Sequence, residues 1–263
     1  MVTFMILMRI IVTMTVIPTR ERSAIDAIRS IQAGVVKPNA IYVNIPKKYA
    51  RFKETLDPNF IPFLLNVLGV NVVVLDHDRA CFNKILPVLP YETEPDTLAV
   101  TIDDDLVYTP LFLHGLITGW NEFGGVIGYS GLKYPENAEK LTGKIKYLVC
   151  QDHGKAVDML ENGFGTLFPL QVLRDFPTLD PLGPDDDATF YLSDDYVIAR
   201  YYDYRGMKKT LIRYKNIGRH HDDWSLICSS NENAKTYEIS TSQNSLVNYV
   251  ASGEIIRKKW GWF

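Results

Sequence analysis

Short apolar runs alternate with amphipathic stretches over the first hundred positions of the chain. Arg9–Ile17 is almost unbroken in apolar and β-branched residues, a pattern that predicts a strand buried on both faces. Pro18 to Arg22 reads as a loop. Ser23–Ala33 places Ile25, Ile28 and Ile31 at helical spacing; Ser23 followed three residues later by Asp26 resembles a capping box, and Gly34 supplies a stop. Ala40–Ile45, Val70–Leu75 and Leu98–Ile102 are predicted as further strands, with a helix over Phe60–Leu68. Strands alternating with helices predict an α/β fold, a mainly parallel mixed sheet with helices on both faces, which binds ligands at the carboxyl ends of its strands.

The second half is less regular. Val126–Tyr129 is predicted as a strand, and Gly163–Phe168 as a glycine-punctuated turn entering another apolar run. Pro177, Pro181 and Pro184 mark a long loop. Asp194–Tyr204 has acids in its first turn, an apolar face of Val197, Ile198, Tyr201 and Tyr202, and Gly206 beyond its end, which together predict a helix. The remainder is polar and basic. Residues 216–263 read as an extension packed on the domain formed by 1–215, either beside an acceptor or as a packed terminus.

Composition narrows the class. The 263 residues, 46% hydrophobic and 22% charged, are ordinary for a folded globular protein and suffice for one large core. A net charge of −3 gives no global attraction for nucleic acid or an anionic membrane, so neither is an expected partner. Phosphate must then be handled locally or through a metal. Cys81, Cys150 and Cys228 are widely spaced, with no Cys-x-x-Cys pair, and suit reduced thiols better than a zinc site. The apolar start is split by Arg9 and diluted by threonines, short of the about 20 apolar residues a spanning helix needs. A soluble, cytoplasmic protein without a transmembrane segment is expected.

Three features carry candidate chemistry. Asp103-Asp104-Asp105 follows a predicted buried strand, and adjacent carboxylates there repel one another unless a cation compensates. In an extended segment Asp103 and Asp105 face one site while Asp104 points elsewhere, and two hard oxygen ligands suit Mg²⁺ or Mn²⁺ on a diphosphate. A solvated acidic turn is the bland alternative, and it is how the second triplet, Asp185-Asp186-Asp187, reads, since a loop precedes it. Asp194 and Asp195 open a predicted helix, where an acidic first turn explains them as well as a general base does. The Thr15–Arg22 loop feeds a helix amino terminus that can hold phosphate. It matches neither a dinucleotide fingerprint nor a P-loop. His220 and His221 offer a further metal ligand or a plain surface pair. The triplet alone also admits a nucleotidyltransferase, a phosphohydrolase, or a non-catalytic module that binds a sugar nucleotide.

The order of motifs resembles a branch of the family-two-like glycosyltransferases of the A-type fold. Thr15-Val16-Ile17-Pro18-Thr19-Arg20 is similar to its opening loop, and Pro38 through Pro46 to its second strand. Asp76 through Lys84, with Ile85-Leu86-Pro87, is similar to its Asp-Tyr-Gly-Pro segment, though longer and without the Gly-Pro. Ile102-Asp103-Asp104-Asp105 is similar to its Asp-x-Asp motif, Gly163 through Pro169 to its glycine-rich strand, and Ser193-Asp194-Asp195 to its acidic base motif. The resemblance spans residues 9 to 205, and the chain's length is similar to that of the short enzymes of large DNA viruses, which would place it in a host cytoplasm. It implies a UDP- or GDP-sugar donor, a glycan or glycoprotein acceptor, Mn²⁺ or Mg²⁺, and inversion at the anomeric carbon. Pro18, Thr19, Arg20 and Glu21 would line the nucleotide pocket with Asp76, Lys84, Asp103 and Asp104. Asn44 stands where many relatives carry a base-binding aspartate. Asp103 would contact the ribose or sugar and Asp105 would hold the metal, where the residues alone also offer Asp103 and His221 as ligands, and Asp195, or else Asp194, would be the catalytic base.

Overall fold

The computed structural model describes residues 8–134, 146–148, 152–177, 194–212, 228–230, 252–259 and 261. In chain order it contains β1 (Ile10–Thr15), α1 (Glu21–Ala33), β2 (Ala40–Pro46), α2 (Phe60–Asn66), β3 (Asn71–Leu75), β4 (Leu98–Thr101), β5 (Leu106–Tyr108) and α3 (Phe112–Phe123). There follow β6 (Val126–Gly128), β7 (Gly131–Lys133), β8 (Lys146–Leu148), β9 (Met159–Leu160), β10 (Thr166–Pro169), α4 (Asp194–Tyr204), β11 (Lys209–Leu211) and β12 (Cys228–Ser230).

Seven strands form the main sheet in the order β11-β6-β10-β4-β1-β2-β3. β1 runs parallel to β2 and β4, β2 to β3 and β6 to β11, whereas β10 is antiparallel to both β4 and β6. The period of two along β1 divides the core. Val12 and Met14 pack with Ile28 and Ile31 of α1, Leu64 of α2 and Leu116 of α3, whereas Ile11 packs on the other face with Phe82, Val88, Phe168 and the α4 residues Val197, Tyr201 and Tyr202. Helices therefore cover both faces, which is why the strands read as continuous apolar runs. Ile256, from the carboxyl-terminal helix 252–259, joins the α4 face, and β12 pairs antiparallel with β5.

One local expectation is corrected, and another is met in place but not in conformation. α1 begins at Glu21, before the predicted Ser23, and the Ser23 hydroxyl donates to the Arg20 carbonyl at 3.0 Å, so no capping box forms. Gly34 ends the helix with φ −55°, outside the left-handed conformation of a glycine stop.

The amino-terminal edge of the sheet is fastened by Glu92. Its carboxylate accepts two bonds from Arg9, at 2.6 and 2.7 Å, and one from the Tyr42 hydroxyl at 2.6 Å. The Arg9 bond holds the Glu92 carboxyl below its ordinary pKa, so this contribution is present near neutrality and lost as pH falls through the folded-state pKa. Glu92→Gln is expected to cost about 2 kcal/mol at pH 7, the scale of charge-assisted bonds, and less at pH 4. Urea unfolding at the two pH values checks this; equal midpoints for variant and parent at pH 7 would refute it.

Candidate functional site

All of the candidate chemistry that falls on described strands lies at the opposite, carboxyl edge. β4 ends at Thr101, and Asp104 and Asp105 turn the chain into β5 instead of continuing extended. The turn buries Asp104, whose carboxylate accepts the Ile17 N–H at 3.0 Å and Arg20 at 2.9 Å. Arg20 also reaches Asp105 at 2.9 Å. Burial pushes the Asp104 carboxyl up to about 6 against the opposing pull of Arg20 and the Ile17 amide. Burial and the adjacent charge of Asp103 likewise raise Asp105. Asp103 and Asp105 stay partly exposed.

A second cation sits behind Asp103. Lys84, buried in the turn after β3, places its ammonium 2.7 Å from Asp103 and 3.6 Å from Asp194. Burial disfavours that charge, but the two carboxylates override it and hold the pKa well above the ordinary lysine value. Asp194 and Asp195 open α4. Asp194 is buried, with the Asn162 side-chain amide 3.4 Å away, while Asp195 is partly exposed and accepts the Asn162 backbone N–H at 2.9 Å. Burial first, then the charge of Asp194, raises the Asp195 carboxyl well above its ordinary value. Each of the two buried acids of the site thus has a cation beside it, while Asp103, Asp105 and Asp195 remain partly exposed.

The segment before β10 closes the site. The Tyr108 hydroxyl accepts the Asp103 N–H at 2.8 Å and donates to the Gly163 carbonyl at 2.8 Å, tying the end of β4 to this turn. A Cβ at Gly163 would lie 2.0 Å from the Asp103 Oδ2, so only glycine lets the turn approach that carboxylate. Gly163→Ala is expected to displace Asp103 and reduce turnover by about 10²-fold, the scale of an ångström-sized misplacement. Initial rates test this, and a variant with parental rates would contradict it. Glu161, just upstream, accepts a hydrogen bond from the Ser130 hydroxyl. Burial raises its carboxyl, and Ser130 opposes the rise.

The remaining predicted positions divide. Pro18 is buried in the β1–α1 loop, and Thr19 has φ +77°, a strained value for a β-branched residue of the kind that collects at functional loops. Its hydroxyl is buried with no hydrogen-bond partner among the described residues. Glu21 accepts the Asp57 N–H at 3.2 Å, which ties α1 to the loop after β2. Asn44 is fully buried and donates to Thr13 at 2.9 Å. Its side chain joins β2 to β1 beneath the edge and presents no surface to a nucleotide. Asp76 is exposed, pairs with Lys47 at 2.5 Å and does not join the Asp103 cluster. Ser193, the 185–187 triplet, His220 and His221 lie outside the described residues. Tyr108, Asn162, Glu161 and Ser130 escaped the sequence reading; the only local signal was the Gly163-Phe164-Gly165 turn beside two of them, Glu161 and Asn162.

Asp103 and Asp105, partly exposed and mutually repelling, fit a hard divalent cation whose other positions are left to phosphate or water. Among the described residues no group of three potential ligands forms, so these two carboxylates are the available protein donors there.

No protein-family model matches the chain, and no curated protein matches its sequence. Solved structures do match. Glucosyl-3-phosphoglycerate synthase from Mycobacterium tuberculosis, in complex with Mg²⁺ and UDP, superposes with a TM-score of 0.58 at 12% identity over 95% of this chain and 79% of that one. Its complex with Mn²⁺, UDP and phosphoglyceric acid gives 0.57 at 12% identity, over 95% and 78%. Residues 1–349 of TarS from S. aureus, in complex with UDP-GlcNAc, give 0.52 at 11% identity, over 95% and 67%. The fold is that of the A-type glycosyltransferases. At such identities the likeness is one of fold, and the glycosyltransferase A-type sheet of this chain has its acidic cluster at the edge where α/β sheets bind ligands. No helix among the described residues is long and apolar enough to cross a membrane.

Proposed function

We propose that the protein is a metal-dependent glycosyltransferase that moves a sugar from a UDP- or GDP-sugar to a hydroxyl of a glycan or glycoprotein acceptor, with inversion. The observation that carries this reading is the bridging of Asp103, after β4, to the buried Asp194, at the start of α4, by Lys84, which brings the partly exposed Asp103 and Asp105 to the same edge as the partly exposed Asp195. Asp105 and Asp103 would hold the divalent ion, which supplies positive charge to the departing diphosphate. Arg20 and the strained loop around Thr19 lie beside them and would receive the donor.

Asp195 acts as the base. Its raised pKa makes it a stronger proton acceptor than an ordinary carboxylate, and the Asn162 N–H leaves one of its oxygens available. It takes the acceptor hydroxyl's proton as that oxygen bonds the anomeric carbon. The bond from that carbon to the diphosphate oxygen breaks, and its electron pair leaves with the nucleoside diphosphate. Residues 1–215 form the catalytic domain in this reading, and 216–263 extend toward the acceptor. The pairing of β12 with β5 and the burial of Ile256 support packing of that extension on the same core.

The test is release of free nucleoside diphosphate from UDP-glucose, UDP-GlcNAc and GDP-mannose with Mn²⁺, paired with calorimetry of UDP and GDP. At least one donor is expected to turn over, and Asp105→Ala to suppress both turnover and Mn²⁺-dependent nucleotide binding. Absence of binding and turnover for every donor would sink the reading, as would pyrophosphate release from nucleoside triphosphates at a higher rate.

A further inference from the structure

Glu161 has a placement that the chemistry above leaves unused. Thr166 of β10 stands opposite both Thr101 of β4 and Gly128 of β6. Asp103 and Ser130, each two residues further along, therefore emerge from the carboxyl edge on either side of β10. The 161–165 turn lies between them. Glu161 is clamped in two directions: its N–H donates to the Ser130 carbonyl at 3.0 Å, and its carboxylate accepts the Ser130 hydroxyl through Oε2. The very next amide, that of Asn162, holds the Asp195 carboxylate. Two carboxylates thus meet at this turn, that of Glu161 itself and that of Asp195 held by the adjacent Asn162 amide; both are partly exposed, and each keeps one oxygen without a hydrogen bond among the described residues.

Asp104 and Asp194 are paired with Arg20 and Lys84, whereas among the described residues the side chain bonded to Glu161 is a neutral serine. A half-buried carboxylate without a cation weakens the fold, and a glutamine would keep the Ser130 contact without that cost. What the carboxylate adds is a strong acceptor for O–H donors. Asp195 uses one acceptor hydroxyl, and a neighbouring hydroxyl on the same molecule is the donor that Glu161 is placed to receive.

We infer that Glu161, set by Ser130, is a positioning residue for the acceptor: it takes a second hydroxyl vicinal to the attacking one, so the acceptor is a sugar or polyol with adjacent hydroxyls and not an isolated alcohol. This rests on the transferase reading above, with Asp195 as base. The experiment uses the full chain with Mn²⁺ and whichever of UDP-glucose, UDP-GlcNAc or GDP-mannose it hydrolyses fastest. The acceptor probes are the methyl glycosides of glucose, galactose and mannose, with cyclohexanol as the single-hydroxyl comparison. At least one glycoside is expected to accept sugar and cyclohexanol to accept none. Glu161→Gln is expected to raise the glycoside KM about 10–100-fold, the scale of one hydrogen bond to a charged group, with a smaller change in kcat. The ratio of transfer to donor hydrolysis falls with it, and Ser130→Ala shifts the same ratio in the same direction. Equal use of cyclohexanol would overturn the inference. So would an unchanged glycoside KM in Glu161→Gln, a fall in hydrolysis as large as the fall in transfer, or donor hydrolysis that no glycoside diverts. Failure of the parent protein to consume any nucleotide sugar would instead remove the transferase reading beneath it.

Discussion

Asp195→Asn is expected to lower sugar transfer by about 10³–10⁴-fold, toward the upper end for loss of a general base, and to raise thermal stability at the same time. The asparagine keeps the shape of the side chain, and its oxygen still accepts the Asn162 N–H. What it loses is the charge. The Asp195 carboxyl has a folded-state pKa well above the ordinary value because burial and Asp194 oppose ionisation. Between the unfolded and folded pKa values the folded protein holds a proton that the unfolded chain has released. Stability of the parent therefore declines as pH rises through that window and stays lower above it. Removing the group removes the penalty, so the gain is greatest at alkaline pH and vanishes below the ordinary carboxylate pKa. Lys84 still has Asp103 and Asp194, so the substitution strands no cation. The gain is therefore expected to be larger at pH 8 than at pH 5. Thermal melts at pH 5 and pH 8, beside initial rates, decide it. Parental rates, or a stability loss at pH 8, would each count against the assignment.

Lys84→Met should do the reverse to stability. Methionine fills the same slot without the ammonium, and leaves Asp103, Asp194 and Asp195 facing one another with no cation between them. Loss of one partner from a buried ion pair costs about 3–5 kcal/mol. The two carboxylates hold the Lys84 pKa well above its ordinary value, so its contribution is fully present below the ordinary lysine pKa and is lost only as pH rises through the folded-state value. The urea midpoint at pH 7 should therefore drop strongly, and donor binding should weaken because Asp103 is no longer held. A parental midpoint at pH 7 would refute this role for Lys84.

Much of the architecture can be read from the amino acids because strands buried on both faces leave an unmistakable pattern. β1, β2, β3 and β4 lie within a residue or two of the apolar runs that predict them, and Asp194–Tyr204 is a helix as its acids and apolar face suggest. The helix α3 was not legible, since Gly115 and Gly119 weaken its propensity. The structure explains the second of them: a Cβ at Gly119 would meet the Ile212 side chain at 2.5 Å. β11 hid behind Lys208 and Lys209, although the Lys209 ammonium is buried against the Ala199 carbonyl and Asp203. Nor does any local pattern announce that β10 runs against its neighbours. The acids of the candidate site stand out in the sequence, and Arg20 and Lys84 enter there through the resemblance as lining of a nucleotide pocket, not as the charges that balance those acids. Arg20 and Asp104 are 84 residues apart, and Lys84 meets Asp103 across 19, so only the folded chain shows which carboxylate each cation neutralises.

The reversed strand β10 also sets the order in which the centre can come into being. The parallel half of the sheet, β3-β2-β1-β4, draws only on residues up to Thr101 and consists of strand-helix-strand units that can dock as they leave a ribosome. Thr101 meets Thr166 only across 65 residues, and Asp194 and Asp195 arrive later still. During synthesis Lys84 and Asp103 must wait in a half-built cleft for the turn and helix that finish it. On the proposed reading a nascent chain would stay catalytically silent until α4 is made, because the proposed base is translated after every other group of the site.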